Sequence, residues 1–124
     1  MAEVRSYRDL LVWQRAMDVA VAVYDLTRSY PQDELFGLTS QSRRAASSIA
    51  ANIAEGYGRA SKLSYLHFLK IARGSLKELE THLMLAERVA VAAPGATDPL
   101  LLQTDELGRM LHGLITRVDA KPTD

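Results

Sequence analysis

From Tyr65 to Ala90 the chain returns an apolar residue every three or four positions: Tyr65, Phe68, Leu69, Ala72, Leu76, Leu79, Leu83, Ala86 and Ala90. At 3.6 residues per turn these fall on one stripe, and Ser61 stands where its hydroxyl can cap the first turn. The spacing predicts a helix over 61–92, about 45 Å long at ~1.5 Å per residue. A helix of that length with a single apolar stripe needs other helices to cover it, and the rest of the chain is expected to supply them.

Three further segments carry the same period. Residues 10–29 form the first expected helix, with Asp9 as its cap and Tyr30-Pro31 as its stop, since the residue before a proline is pushed out of the helical region. It has two apolar stripes, one of Leu10, Trp13, Met17, Val21 and Tyr24, the other of Val12, Ala16, Val19, Val23 and Leu26. One core needs one stripe, so Val12, Val19, Val23 and Leu26 are expected to meet a neighbouring subunit. Residues 38–57 form the second helix, with Leu38, Ala45, Ile49, Ile53 and Gly56 toward the core and Glu55-Gly56-Tyr57-Gly58-Arg59 as its stop, glycine being available for a left-handed cap. After the break at 93–97, residues 98–119 form the fourth, capped by Asp98 with Pro99 in its first turn. Four helices, short connectors and no alternating strand pattern predict an all-α, up-down-up-down antiparallel four-helix bundle forming one domain over 1–124.

Two surfaces of this bundle carry chemistry. On the second helix Gln41, Arg44, Ser48, Asn52 and Glu55 make a polar stripe of mostly short hydrogen-bonding side chains, expected to pair with one another and with the third helix or an adjacent subunit. Gly74-Ser75 in the third helix is expected to let that backbone approach closely. On the third helix Lys62, Lys70, Arg73, Lys77 and Arg88 fall within one quadrant, a stripe suited to phosphates, to which Arg43 is expected to add. Fifteen basic and fifteen acidic residues give a net charge of +0, so any basic surface is local.

Other classes are disfavoured. There is no cysteine, which removes disulfides, thiolate metal sites and a cysteine nucleophile, and agrees with a reducing compartment. The apolar runs are too short to span a bilayer and the first residues lack a signal-peptide apolar region, so a cytoplasmic protein without membrane contact is expected. His67 and His82 lie about 22 Å apart along one helix and cannot share a metal. Glu78 and His82 are spaced for a surface ion pair, and Asp105-Glu106 is read as complementing the fourth helix dipole. The serines of the second helix have no histidine or lysine close in sequence to activate them. No catalytic role, metal or cofactor is expected.

Several motifs, in order, resemble a known family: Trp13-Gln14-Arg15-Ala16; Leu38-Thr39-Ser40-Gln41 with Arg43-Arg44-Ala45-Ala46; Asn52-Ile53-Ala54-Glu55-Gly56; and the run from Phe68 to Glu80. Together they resemble the four-helix-bundle proteins linked to intervening sequences in bacterial 23S ribosomal RNA. The resemblance implies a left-handed bundle assembling into a homo-oligomeric, pentameric ring in a bacterial host. It also implies a distant likeness to the accessory protein of diversity-generating retroelements, a basic pentamer that binds nucleic acid and a reverse transcriptase. The partners so implied are further copies of the chain, RNA or DNA, and a protein attached to the nucleic acid. Ser42 stands where that family often has a bulky apolar residue. The function read from the sequence is a non-enzymatic binding scaffold, with a protein-interaction oligomer as the alternative.

Overall fold

The computed structural model describes residues 3–123. Four α-helices account for most of them: α1 (Leu11–Thr27), α2 (Ser40–Tyr57), α3 (Lys62–Arg88) and α4 (Asp98–Asp119), and no strand occurs among the described residues. Each helix packs on its neighbours in sequence and α1 also packs on α4, closing a ring of four around one core. The contacts set the directions. Ser48 of α2 meets Ser75 of α3 while Gly56 lies against Phe68, so one number climbs as the other falls. Arg43 near the start of α2 reaches Thr27 at the end of α1, and Lys62 at the start of α3 reaches Lys121 just past α4. This is the antiparallel up-down-up-down order that short connectors impose.

The core is built of Val12, Ala16, Val19 and Val23 from α1, Ala45, Ile49 and Ile53 from α2, Leu69, Leu76, Leu79 and Leu83 from α3, and Leu107, Leu111 and Ile115 from α4. Val12, Val19 and Val23, expected at a subunit interface, are therefore core residues, and Leu26 packs half-buried against the same cluster. Of the other stripe, Leu10 and Trp13 pack half-buried against the core, while Met17, Val21 and Tyr24 are left outside, exposed by 41%, 59% and 41%. Side-chain size explains the exchange. A stripe of valines and Ala16 lets α1 sit close to its neighbours, whereas Met17 and Tyr24 would hold it away.

The ends of the helices differ from the expected ones for identifiable reasons. Ser61 does cap α3, accepting from the Ser64 N–H at 3.1 Å. Asp9 instead closes a capping box with Ser6 around a 3₁₀ turn at Tyr7–Asp9, and α1 begins at Leu11 without a side-chain cap. Between α1 and α2 the chain makes a 3₁₀ turn at Gln32–Glu34 and a wide turn at Leu35–Thr39 with Gly37 off the helical region, and the Glu34 carboxylate accepts from the Leu38 N–H at 3.0 Å. Gly58 closes α2 in a right-handed conformation, so the left-handed glycine cap is not used there.

Helix α3 stops at Arg88 because Ala90 takes a left-handed φ of 60°, letting the N–H groups of Val91 and Ala92 both return to the Ala86 carbonyl. Asp98 begins α4 from inside; the residue before it, Thr97, is turned back instead to Glu87.

Candidate nucleic-acid surface and helix seam

The polar stripe of α2 faces α3, and its centre is paired. The hydroxyls of Ser48 and Ser75 lie 2.9 Å apart, and the Asn52 amide donates to the Ser48 carbonyl at 2.8 Å and to its hydroxyl at 3.0 Å. Its ends behave otherwise. Arg44 is exposed rather than buried, and Glu55 pairs outward with Arg59 at 3.1 Å, so neither joins the internal network. Gln41, Arg44, Ser48, Ser75 and Glu78 line a groove of about 400 Å³ between α2 and α3. Glu78 also holds His82 at 3.3 Å, the expected surface pair.

The glycine that lets α2 and α3 approach is not Gly74, whose missing side chain faces open space. It is Gly56, where a Cβ would stand 2.8 Å from the Cβ of Phe68 and 3.1 Å from Tyr65 Cδ1. Beside it Tyr57 and Tyr65 meet edge to face with ring centroids 6.1 Å apart. Burial, and after it the neighbouring Tyr57, push the Tyr65 phenol above its usual range, while Arg117 pulls the other way.

The basic stripe runs along α3 on the side of α4. Lys70 and Arg88 are exposed and Arg73 is half-buried; none of the three meets a carboxylate among the described residues. Lys77 pairs with Glu80 at 3.3 Å, and Lys62 donates to the Lys121 carbonyl at 2.6 Å at the end of the bundle. Arg43 belongs elsewhere. Its Nε donates to Thr27 Oγ1 at 2.9 Å and its guanidinium lies 4.5 Å from the Tyr24 ring centroid, which fixes it to α1 on the opposite side of the ring from α3 and α4. It cannot extend the α3 stripe.

Between α3 and α4 the stripe borders a groove of about 530 Å³, lined by Arg73, Leu76, Lys77 and Glu80 on one side and Thr104, Asp105, Gly108, Arg109 and His112 on the other. Sequence reasoning missed the α4 half, although Asp105, Arg109 and His112 recur at helical spacing and so share a face. Asp105 lies in the body of α4, paired with Arg109, and Glu106 crosses to Arg15 of α1 at 3.4 Å, so this acidic pair does not act on the helix dipole. Also missed was Glu87, whose carboxylate accepts from Gly95 N–H at 2.8 Å and from Thr97 N–H and Oγ1, tying the α3–α4 loop to the end of α3. Those bonds, led by the one from the Thr97 hydroxyl, hold its carboxyl below the usual range.

Among the described residues no group of three or more His, Asp or Glu side chains is placed to hold a metal ion, and no helix is long and apolar enough to cross a membrane.

Comparison with known proteins gives two results. The sequence pattern of the family described as "23S rRNA-intervening sequence protein" matches residues 8–113. Among solved structures, the chain is similar to a protein of unknown function from Bacteroides thetaiotaomicron, described as from the S23 ribosomal protein family, at 23% identity and a TM-score of 0.79 over 86% of this chain and 96% of that one. No curated protein matches.

Proposed function

The chain belongs to the 23S rRNA-intervening sequence protein family, and from that premise we propose that it is a non-enzymatic, cytoplasmic, homo-oligomeric scaffold that binds RNA or DNA through α3. The observation that carries this reading is the run of Lys70, Arg73 and Lys77 along one side of α3, the first two without a carboxylate partner among the described residues, in a chain whose net charge is +0. Cations so placed contact phosphates with little regard to sequence, and their release of counterions makes binding steeply dependent on salt. A protein attached to the same nucleic acid is a partner of this scaffold.

The test is fluorescence anisotropy of labelled RNA hairpins and duplex DNA at about 50 and about 200 mM salt, between which phosphate-driven affinity falls by orders of magnitude. Reversing Arg73 and Lys77 to Glu removes binding and leaves assembly intact. Folded, oligomeric protein that binds nothing at low salt overturns the reading.

A second reading, an oligomer that binds protein and no nucleic acid, is favoured by one observation. Phe36, in the wide turn before α2, is exposed by 90% and lies beside Tyr24, Leu35 and Arg43 around a groove of about 350 Å³. With Met17 and Val21 it forms an apolar face with nothing in the protomer to cover it. This face replaces Val12, Val19, Val23 and Leu26 as the surface through which subunits are proposed to meet, the pentameric ring implied by the resemblance included.

A further inference from the structure

We propose that the groove between α3 and α4 takes an unpaired nucleobase bearing an amino group, so that the strand held by α3 is single. This rests on the reading of α3 as a nucleic-acid surface and names the kind of nucleic acid. Three features of the groove point to it.

The first is its shape. At about 530 Å³ it falls within the ~300–1,000 Å³ of small-molecule sites. Its floor is the bare backbone of Gly108, with Leu76 fully buried beneath; a Cβ on the glycine would rest 3.5 Å from Leu76 Cδ2. A flat ring can lie there. The rigid backbone of a duplex rides on the rim and cannot descend to the floor.

The second is the mixture of charge around the rim. Glu80 and Asp105 stand among Arg73, Lys77 and Arg109, each carboxylate paired with a cation of its own helix. A surface meant only for the close-spaced phosphates of a duplex gains nothing from two carboxylates among its cations, because each repels the backbone. A base presents the complementary pattern: its exocyclic amino group donates to a carboxylate, as cytosine N4 does to Glu or Asp, while its own phosphate meets Arg73 or Lys77.

The third is depth. The Glu80 side chain is exposed by 15% whereas its partner Lys77 is exposed by 71%, so the carboxylate is sunk in the groove wall while the ammonium stands at the rim. Acceptor inside and cation outside is the order in which a nucleotide inserted base-first would meet them.

The experiment is anisotropy with labelled oligocytidine, oligouridine and a duplex RNA of the same length. Oligocytidine is expected to bind about tenfold tighter than either of the others, the discrimination of one good base contact. Gly108→Leu, which fills the floor, is expected to lower oligocytidine affinity by about the same factor while melting stays cooperative at a midpoint no lower than that of the wild type, glycine being unfavourable inside a helix. Duplex binding as tight as that of oligocytidine, or no difference between cytidine and uridine, overturns the inference and leaves α3 as a nucleic-acid surface. No binding to any of the three overturns both. The comparison of ligands is made on the wild-type chain, so it decides even if Gly108→Leu folds poorly.

Discussion

Gly56 and Phe68 fix the closest approach of α2 to α3: a methyl on the glycine would fall 2.8 Å from Phe68 Cβ. Because that atom is attached directly to the α3 backbone, it cannot swing aside without moving the helix. Gly56→Ala is therefore expected to cost about 1–3 kcal/mol, the range for overpacking a filled interface. Gly74 meets nothing within 4 Å, so Gly74→Ala is expected to gain about 1 kcal/mol from helix propensity alone. Urea denaturation of the two variants should move the midpoint in opposite directions. A Gly74→Ala protein that is no more stable would contradict the open position of that residue.

Ala90 carries its positive φ of 60° so that α3 can close on the Ala86 carbonyl. A β-carbon in that region costs free energy that glycine does not pay. Ala90→Gly should raise stability by up to about 1 kcal/mol, partly offset by the freer unfolded chain. An unchanged or lowered melting temperature would argue that the loop takes its shape from Glu87 and not from the α3 cap.

Glu87 makes stability depend on pH with a definite sign. Its bonds to Thr97 and Gly95 stabilise the carboxylate, so its folded pKa lies below the ordinary value of 4.5. The contribution is present in full above that value and is lost as pH falls through the folded pKa. Glu87→Gln should melt earlier than wild type at neutral pH, with the gap narrowing as the solution is acidified below the ordinary value. A gap independent of pH would mean that the loop is held by packing and not by the charge.

Asn52 spans Ser48 twice, and Ser48 reaches Ser75 across the helix pair. Removing the amide leaves the serine hydroxyls with each other, so Asn52→Ala should cost about 1 kcal/mol, the usual net value of an internal hydrogen bond. Ser75→Ala should cost a similar amount, and the double variant less than the sum if the three form one network. Strict additivity would place Asn52 outside the Ser48–Ser75 bond.

The four helices and their order were legible because apolar period and connector length determine them, and the seam at Ser48 and Asn52 was legible because short polar residues on a helix stripe have few other uses. What the period could not settle was which of two stripes on α1 points inward. Leu10, Trp13, Met17, Val21, Tyr24 and Val12, Ala16, Val19, Val23, Leu26 fit a 3.6-residue repeat equally well, and only the packing distance set by side-chain volume separates them. Arg43 and Glu87 were misread or missed for another reason. Their partners, Tyr24 and Thr27 for one and Gly95 and Thr97 for the other, lie across a turn or loop, where spacing along the chain says nothing about distance. Ser42 is a remaining oddity: it is fully buried and its hydroxyl has no partner among the described residues.

The two α1 stripes also give the sharpest test of assembly. Val19 is exposed by 1% and Val21 by 59%, two residues apart on the same helix. Val19→Asp places an unpaired charge in the core and should unfold the protein, since an uncompensated buried charge costs several kcal/mol, about 3–5 by analogy with a broken buried pair. Val21→Asp places the same charge on the outer face, where water solvates it in a single subunit, so the helical content should be unchanged. If subunits meet through this face, the aspartate is desolvated at the junction and sedimentation should show the variant shifted to smaller species at a concentration where the wild type is assembled. Phe36→Ser should act in the same direction, because its ring is the most exposed aromatic on that face. A folded Val21→Asp, Phe36→Ser double variant that sediments as wild type would move the interface away from α1, and the α2–α3 groove lined by Gln41, Arg44 and Ser75 would become the surface to test.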